Sequence, residues 1–99
     1  MGDEKITIII NTFKSEEKIY NCLDSIPNTY KVVVVENSKN SEFKNKIEEK
    51  YSNVECILAG DNLGYAKGNN LGLSTVNSKY ALILNPDAKL EKNTLKNNN

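Results

Sequence analysis

The sequence predicts an α/β fold with three layers, in which helices cover both faces of a mostly parallel, four-stranded sheet. Short apolar runs alternate with stretches of helical periodicity, which is typical of parallel strands joined by right-handed crossovers. Two of the runs, Val32–Val35 and Tyr80–Leu84, are unbroken, and the four valines in a row indicate a strand buried on both faces. We expect the common strand order 3-2-1-4, which reverses the chain direction between strands 1 and 4.

The first half of the chain contains two predicted strands around one helix. Ile6–Ile10 is a β-branched run that is too short for a helix and is therefore assigned to the first strand. The first helix is indicated by apolar residues spaced at i, i+3, i+4 and i+7, namely Ile19, Cys22, Leu23 and Ile26. Ser15 is expected to cap its start and Pro27 to end it. Val32–Val35 is the second strand.

The second half repeats the alternation twice more. Phe43, Ile47 and Tyr51 recur every four residues and predict a second helix, capped by Asn40 or Ser41. The remaining predicted elements are a third strand, a third helix and a fourth strand, over Val54–Leu58, Tyr65–Val76 and Tyr80–Leu84. With 99 residues and no linker or repeat, the chain is one small domain.

The composition excludes several classes of function. The chain has no histidine and no arginine, so imidazole bases and His-ligated zinc are excluded, and anions must be held by lysine, backbone N–H groups or a metal ion. The net charge is zero, which argues against a nucleic-acid partner. No apolar run is long enough for a membrane span, and the N-terminus lacks a secretory leader. We therefore expect Cys22 and Cys56 to be reduced, buried thiols in a cytoplasmic protein.

Polar residues follow each predicted strand at the edge where parallel sheets bind ligands. Two carboxylates, Glu36 and Asp87, come directly after or close behind buried strands, which suggests ligand or metal contacts. The alternative is that both are solvated turn residues. The turn at Gly60–Gly64 is neither a dinucleotide fingerprint nor a P-loop, which disfavours those two nucleotide-binding folds.

The third predicted helix carries amides on the face expected to meet the sheet. Ala66 and Leu73 are expected to face the sheet, and Asn69 and Asn70 lie between them. A buried amide needs hydrogen-bond partners, so these residues either tie neighbouring loops together or face a ligand. Gly68 and its neighbour Gly64 are expected to let this helix approach the sheet closely.

Four blocks of the sequence together resemble one known family. They are Ile8–Phe13, Val33–Ser38, Asn62–Leu73 and Leu82–Asp87. In this order they are similar to the N-terminal half of a family 2 glycosyltransferase of the GT-A fold, and to its rhamnosyltransferase-like branch in particular. The resemblance implies a Rossmann-like half-domain that binds a nucleotide sugar over residues 1–91, followed by a polar tail over residues 92–99.

The resemblance implies roles for individual residues. Thr12 and Phe13 match the segment that flanks the nucleobase of the donor, and Glu36 matches the acidic residue that accepts a hydrogen bond from the base imide. Asp87 matches the last carboxylate of the Asp-x-Asp motif, which binds Mg²⁺ or Mn²⁺, and Asn85 stands in place of the first.

The donor-binding set implied by the resemblance also includes Asn62, Gly64, Lys67 and Asn69. Asn69 stands where many relatives have a phosphate-binding arginine, so the positive charge there is expected from Lys67 or the metal ion. Glu36 is one methylene longer than the usual aspartate, and Lys14 stands where asparagine is common.

The implied ligand is a nucleoside-diphosphate sugar, linked to uridine or thymidine, and the implied acceptor is a polysaccharide or lipopolysaccharide precursor. The family's catalytic domain is much longer than this chain, and its other half carries the acceptor site and the catalytic base. No catalytic residue is therefore assigned, and we expect a truncated, donor-binding half that is inactive alone.

Three alternatives remain open at this point. They are a minimal enzyme that borrows its acceptor site from another chain, a receiver-like signalling domain, and a small non-catalytic α/β nucleotide-binding or structural module, that is, a pseudoenzyme fragment. The receiver-like domain is disfavoured because the first strand ends in Asn11 and Thr12 rather than in an acidic cluster. In every case Tyr80–Leu84 is an apolar edge strand, which predicts a homodimer or higher oligomer through that edge.

Overall fold

The computed structural model describes residues 5–86 of the chain, and these residues form seven elements. The elements follow the predicted alternation of strand and helix. They are β1 (Ile6–Thr12), α1 (Glu16–Asp24), β2 (Lys31–Glu36), α2 (Ser41–Lys50), β3 (Val54–Leu58), α3 (Gly64–Leu73) and β4 (Tyr80–Leu84). The boundary predicted at residue 91 lies outside the described residues.

The four strands form one parallel sheet in the order β3-β2-β1-β4. In the register, Ile8 of β1 lies opposite Val32 of β2 and Leu82 of β4. The predicted α/β fold class and the order 3-2-1-4 are therefore confirmed. Because all strands run in the same direction, their carboxyl ends meet along one edge, called here the C-terminal edge.

One face of the sheet packs against α1 and α2. Its strand residues have even numbers, as the two-residue period of a strand requires. The buried side chains on this face come from β1, β2, β3 and both helices, and include Ile8, Ile10, Val32, Val34, Cys56, Ile19, Leu23, Phe43 and Ile47. This is the larger of the two hydrophobic clusters.

The other face of the sheet packs against α3. Ile9, Val33 and Val35 are fully buried there, with Leu71 and Val76 packed against them. The helix approaches closely because a Cβ atom at Gly72 would lie only 2.7 Å from Cγ2 of Ile9. The sheet is thus covered on both faces, as expected of a three-layer fold.

The prediction of which α3 residues face the sheet is partly wrong. Ala66 is exposed, Leu73 is 39% exposed, and Asn70 is also exposed, whereas Asn69 is buried as expected. The helix instead turns Gly68 and Gly72 towards the sheet, since small residues allow a closer approach than Ala66 and Leu73 would. Gly68 meets the side chain of Asn11, as its predicted close approach requires.

The helix ends agree with the predicted caps in part. Asn40 is the N-cap of α2, and its Oδ1 accepts a hydrogen bond from the backbone N–H of Phe43 at 3.0 Å. Ser15 is at the N-cap of α1, but its hydroxyl donates to the carbonyl of Phe13 instead of capping the helix. Within residues 5–86, every helix is too short or too polar to cross a bilayer.

Candidate functional site

The carboxyl ends of the two central strands lie side by side at the C-terminal edge. Thr12, the last residue of β1, is in register with Glu36, the last residue of β2. Both have even numbers, so their side chains lie on the face that α1 and α2 cover. The topology therefore brings two of the predicted donor-binding residues together.

Glu36 buries its carboxylate at the end of β2. Its side chain is 2% exposed, and Oε2 has no hydrogen-bond partner among the described residues. Ion pairs and hydrogen bonds normally compensate a buried carboxylate, because its desolvation is costly. An uncompensated carboxylate at the end of a central strand is the arrangement expected of a group that binds an N–H donor from a ligand.

A cleft of about 640 Å³ opens beside Glu36. Residues 14–18 line one side, where β1 leads into α1, and Asn40 lies on the other. Two smaller clefts lie at the opposite edge of the sheet, around Lys31. Their lining includes none of the buried oxygens that lack a partner in the described part of the chain.

Two further predicted residues share the property of Glu36. Within residues 5–86, the buried side-chain atoms that lack a hydrogen-bond partner are Thr12 Oγ1, Glu36 Oε2 and Asn69 Oδ1. Native proteins leave few such atoms, and each costs about 1–3 kcal/mol when no ligand or water satisfies it. All three residues belong to the donor-binding set that the sequence resemblance implies, so the unpartnered atoms coincide with the predicted site.

The loop that joins β1 to α1 carries an unusual backbone conformation. Lys14 has a φ angle of 53°, a left-handed conformation that glycine and asparagine adopt more readily than lysine. Its ammonium lies 5.2 Å from the centre of the Phe13 ring, and both side chains are exposed. The predicted base-flanking residue Phe13 therefore projects from this loop next to the cleft that Lys14 lines.

Sequence reasoning gave no role to Asn37, which the structure puts at the centre of the edge. Its backbone N–H and its side-chain Nδ2 both donate to the carbonyl of Thr12, at 2.9 and 2.8 Å. Nδ2 also donates to Oδ1 of Asn11 at 2.5 Å, and Oδ1 accepts from the backbone N–H of Leu63 at 3.0 Å. The only sequence signal was an asparagine just after a strand.

The remaining predicted residues lie around the start of α3. Gly64 has a φ of 80°, which favours glycine, and its N–H donates to Oδ1 of Asn62 at 3.2 Å. Lys67 is exposed on the first turn, which contains no acidic residue. Asn69, two residues after Lys67 on the same helix, is buried.

The predicted metal site is described only in part. Asn85 follows β4, is exposed, and its carbonyl accepts a weak hydrogen bond from the thiol of Cys22 at 3.7 Å. Asp87, the predicted metal ligand, lies outside the described residues. Within residues 5–86 no group of three or more acidic or cysteine side chains is arranged to hold a metal ion. A metal site here therefore depends on Asp87 and stays a prediction.

The two cysteines are not nucleophiles. Both are buried, and neither forms a disulfide. Burial raises the pKa of Cys22 to about 11 and that of Cys56 to about 12. The thiols are therefore protonated at neutral pH and act as small apolar side chains, since only the thiolate is a strong nucleophile.

Known proteins share this fold and sequence over nearly the whole chain. The chain is 35% identical over 97 residues to the low-salt glycan biosynthesis hexosyltransferase Agl10 of Haloferax volcanii. This match covers 94% of this chain and 31% of the relative. It is 28% identical to the teichoic acid poly(glycerol phosphate) polymerase of Staphylococcus epidermidis, over 87% of this chain and 13% of the relative. The chain thus spans less than a third of the length of these relatives.

A solved structure agrees with the sequence comparisons. The crystal structure of S. aureus TarS residues 1–349 superposes with a TM-score of 0.79 at 28% identity, and the match covers 95% of this chain and 31% of that one. The sequence profile of glycosyl transferase family 2 matches residues 7–97. The fold, the sequence relatives and this match agree that the chain belongs to glycosyl transferase family 2.

Proposed function

We propose that this chain is the donor-binding part of a glycosyltransferase, which binds a nucleoside-diphosphate sugar at the C-terminal edge of its sheet. The observation that carries the proposal is the buried, unpartnered carboxylate of Glu36 at the end of β2, beside a cleft of about 640 Å³. The match to glycosyl transferase family 2 supports a sugar-transfer reaction. The cleft and the carboxylate support the binding of a nucleotide at this edge.

The proposed base site lies on the side of the sheet that α1 and α2 cover. Oε2 of Glu36 accepts the imide N–H of uracil or thymine, and Thr12 lies next to it in register. Phe13, on the loop that lines the cleft, offers its ring to the base. This arrangement favours uridine or thymidine over cytidine, because cytosine has no N–H at the corresponding ring position.

The proposed diphosphate site lies on the side of α3. The start of a helix favours anions, because its N–H groups and dipole point towards the ligand. Lys67 adds a positive charge in the first turn, and Asn62, Gly64 and Asn69 complete the set. The chain has no arginine, so a cation at the diphosphate matters more here than in proteins that have one.

We assign Mg²⁺ or Mn²⁺ binding to Asp87, with Asn85 as its neighbour at the end of β4. A divalent cation prefers oxygen ligands, and when bound it neutralises charge on the departing nucleoside diphosphate. The three buried oxygens without a partner at this edge are compatible with a charged ligand there. Those of Glu36 and Thr12 are assigned to the base.

The sugar acceptor is proposed to be a polysaccharide or lipopolysaccharide-type glycan. Two relatives, a glycan biosynthesis hexosyltransferase and a teichoic acid polymerase, support a glycan or cell-wall polymer as the acceptor. We assign no catalytic base within residues 5–86, so transfer is expected to need residues beyond this set. A cytoplasmic location is supported by the two free, buried cysteines.

A thermal-shift titration tests the proposal. The 99-residue chain is titrated with uridine and thymidine diphosphates, with and without Mn²⁺, as the wild type and as Asp87→Ala, with cytidine diphosphate as the control ligand. A ligand at 100 times its dissociation constant stabilises by about 2.7 kcal/mol, which raises the melting temperature of a domain this size by roughly 10 °C or more.

The expected result is a Mn²⁺-dependent shift with the uridine or thymidine nucleotide, smaller with the cytidine nucleotide and lost in Asp87→Ala. A shift that is equal for all three bases would contradict the role of Glu36. No shift with any nucleotide would contradict donor binding and would favour a non-catalytic α/β module.

A further inference from the structure

The side chain of Asn37 connects segments that lie on opposite faces of the sheet. It is 3% exposed and lies directly after β2. Its Nδ2 donates to the carbonyl of Thr12 and to Oδ1 of Asn11, and its Oδ1 accepts the backbone N–H of Leu63. Both of its N–H donors and its carbonyl oxygen therefore bond to groups far away in sequence.

The connected segments carry the two halves of the proposed donor site. Thr12 ends β1 on the face that includes Glu36, whereas Leu63 is the N-cap of α3 on the other face. Asn11 strengthens the connection, because its Nδ2 donates to the carbonyl of Gly64 at 3.2 Å. The start of α3 is thus held to the end of β1 by two amides in series.

We propose that Asn37 is a positioning residue, which fixes the base-binding end of β1 relative to the phosphate-binding start of α3. This inference rests on the proposed function, because it requires the base and the diphosphate of one nucleotide to bind at these two segments. A diphosphate joined to a base has a fixed reach, so a shift of α3 weakens binding even where each half is intact.

Only an asparagine satisfies all the partners of this position. An aspartate keeps an acceptor for the N–H of Leu63, but it replaces the donor by an oxygen facing two other oxygens, the carbonyl of Thr12 and Oδ1 of Asn11. Serine is too short to span the same partners. Asn37→Asp is therefore a nearly isosteric change that removes the bonds to Thr12 and Asn11, keeps the bond to Leu63 and adds one negative charge, as Asn53→Asp also does.

Asn53 offers a matched control at the opposite edge of the sheet. Its Nδ2 donates to the carbonyl of Tyr30 at 2.8 Å, so Asn53→Asp also removes a hydrogen bond from an amide to a backbone carbonyl. Asn53 precedes β3 and lies away from the C-terminal edge. Any effect that the two variants share is a loss of stability, and any effect limited to Asn37→Asp concerns the site.

The test measures the affinity for uridine diphosphate with Mn²⁺ by calorimetry, at a temperature where every variant is folded. Both variants are expected to melt at a lower temperature than the wild type. Only Asn37→Asp is expected to bind the nucleotide about tenfold more weakly, because restoring the position of α3 on binding costs about as much as one hydrogen bond. Equal affinity in Asn37→Asp and Asn53→Asp would overturn the positioning role.

Asn11→Ala provides a second variant in case Asn37→Asp does not fold. It removes the acceptor of Asn37 and the donor to Gly64, and it leaves the bonds to Thr12 and Leu63 in place. Its readout is the amide NMR signal of Leu63 on addition of uridine, which has no phosphate. The signal is expected to shift in the wild type and also in Asn11→Ala, because Asn37 still joins Thr12 to Leu63 in that variant.

The outcomes separate this inference from the proposed function. If neither uridine nor uridine diphosphate binds the wild type, the proposed function fails, and the positioning role fails with it. If uridine binds both proteins but the Leu63 signal shifts only in the wild type, the connection depends on Asn11 instead, and the positioning role of Asn37 alone is overturned.

Discussion

Buried polar side chains concentrate at one edge of this molecule. Glu36, Thr12 and Asn69 each bury an oxygen that lacks a partner within the described residues, whereas Asn37 is fully hydrogen-bonded. A fold selected only for stability would replace the first three by apolar side chains, because each unsatisfied atom costs free energy. Their presence at one edge supports the proposal that this edge binds a ligand.

Replacing Glu36 by glutamine is expected to stabilise the fold and weaken the site. Glu36→Gln removes a buried carboxylate, one oxygen of which has no partner among residues 5–86, and raises the free energy of unfolding by about 1 kcal/mol. It also weakens the discrimination of uridine over cytidine diphosphate, because the amide offers a donor as well as an acceptor. Urea denaturation and calorimetric titration measure the two effects.

Glu55→Gln is the control for this substitution. Glu55 is exposed on β3, and its ion pair with Lys31 spans 3.9 Å between exposed side chains, so the change is expected to be close to neutral. A Glu36→Gln variant that is less stable than the wild type would show that the carboxylate has a partner in solution.

At the scale of elements, the packing of α3 depends on residues that lack a side chain. Gly72 lies against Ile9 and Val35, and Gly68 lies against Asn11, so the helix axis is closer to the sheet than an alanine at either position permits. The apolar residues Ala66 and Leu73, which suggested a different inward face, are exposed instead. Close approach of the backbone decides the orientation of this helix.

Gly72→Ala is therefore expected to destabilise the protein. In an exposed helix this change adds about 1 kcal/mol of stability, because alanine is the better helix former. Here the new Cβ would lie 2.7 Å from Cγ2 of Ile9 and 3.2 Å from Cγ2 of Val35. Overpacking of this kind costs about 1–3 kcal/mol, so the sign of the effect is reversed.

Asn70→Ala on the same helix is the matched control for Gly72→Ala. Asn70 is exposed, so this change is expected to stabilise slightly through helix propensity alone. Thermal denaturation compares the two. A stabilising Gly72→Ala variant would mean that α3 packs further from the sheet than described.

An ion pair on α2 covers the free edge of β3. Lys44 donates to Oε2 of Glu48 and to the carbonyl of Cys56, while the N–H of Cys56 donates to the same oxygen of Glu48. Backbone groups on an edge strand are otherwise open to pairing with another chain. The pair thus protects one edge of the sheet.

The free energy of unfolding is expected to fall at acidic pH because of this ion pair. Burial alone raises the pKa of Glu48, but the N–H of Cys56 and the ammonium of Lys44 outweigh it and hold the pKa below its ordinary value of 4.5. A lowered pKa adds stability at pH values above 4.5, and this stability is lost as the pH falls through the folded-state pKa.

Urea denaturation between neutral pH and about pH 3 measures this contribution, which we expect to be about 0.5–1 kcal/mol. Glu48→Gln is expected to remove the part of the acid dependence that belongs to this group. The other carboxylates titrate in the same acidic range, but they are present in both proteins, so the difference between the wild type and Glu48→Gln isolates this group. An unchanged acid profile in Glu48→Gln would contradict the assignment.

At the scale of the whole molecule, the two edges of the sheet differ. Within the described residues, β3 is covered by Lys44 and Glu48, whereas Tyr80 and Ile83 of β4 are exposed apolar side chains at the other edge. Exposed apolar edge strands associate with other strands. The association of two or more chains through β4 remains a prediction. It depends on the whole strand rather than on any one residue.

Light scattering on the chain tests this association. The wild type is expected to be a dimer or larger, and Ile83→Lys is expected to be a monomer, because a lysine on the edge opposes pairing. Leu73→Lys is the control, since Leu73 and Ile83 are both 39% exposed but Leu73 lies on α3. A monomeric wild type would contradict the prediction.

The sequence by itself determined the order of strands and helices, the parallel sheet and its order, and the position of Glu36 and Thr12 at neighbouring strand ends. These features follow from local periodicity and from the direction of the strands, which a sequence shows directly. The four blocks of family resemblance then identified the residues whose buried oxygens are unpartnered in the structure.

Only the tertiary structure decided which face of α3 meets the sheet, that Oε2 of Glu36 is buried without a partner among residues 5–86, and that Asn37 connects β1 to α3. The bonds of Asn37 reach residues 25 and 26 positions away, and whether such groups meet depends on how closely the helices and strands pack. Hydrogen-bond pairing between distant segments leaves no periodic signal in the sequence, since an asparagine after a strand is equally compatible with a solvated turn.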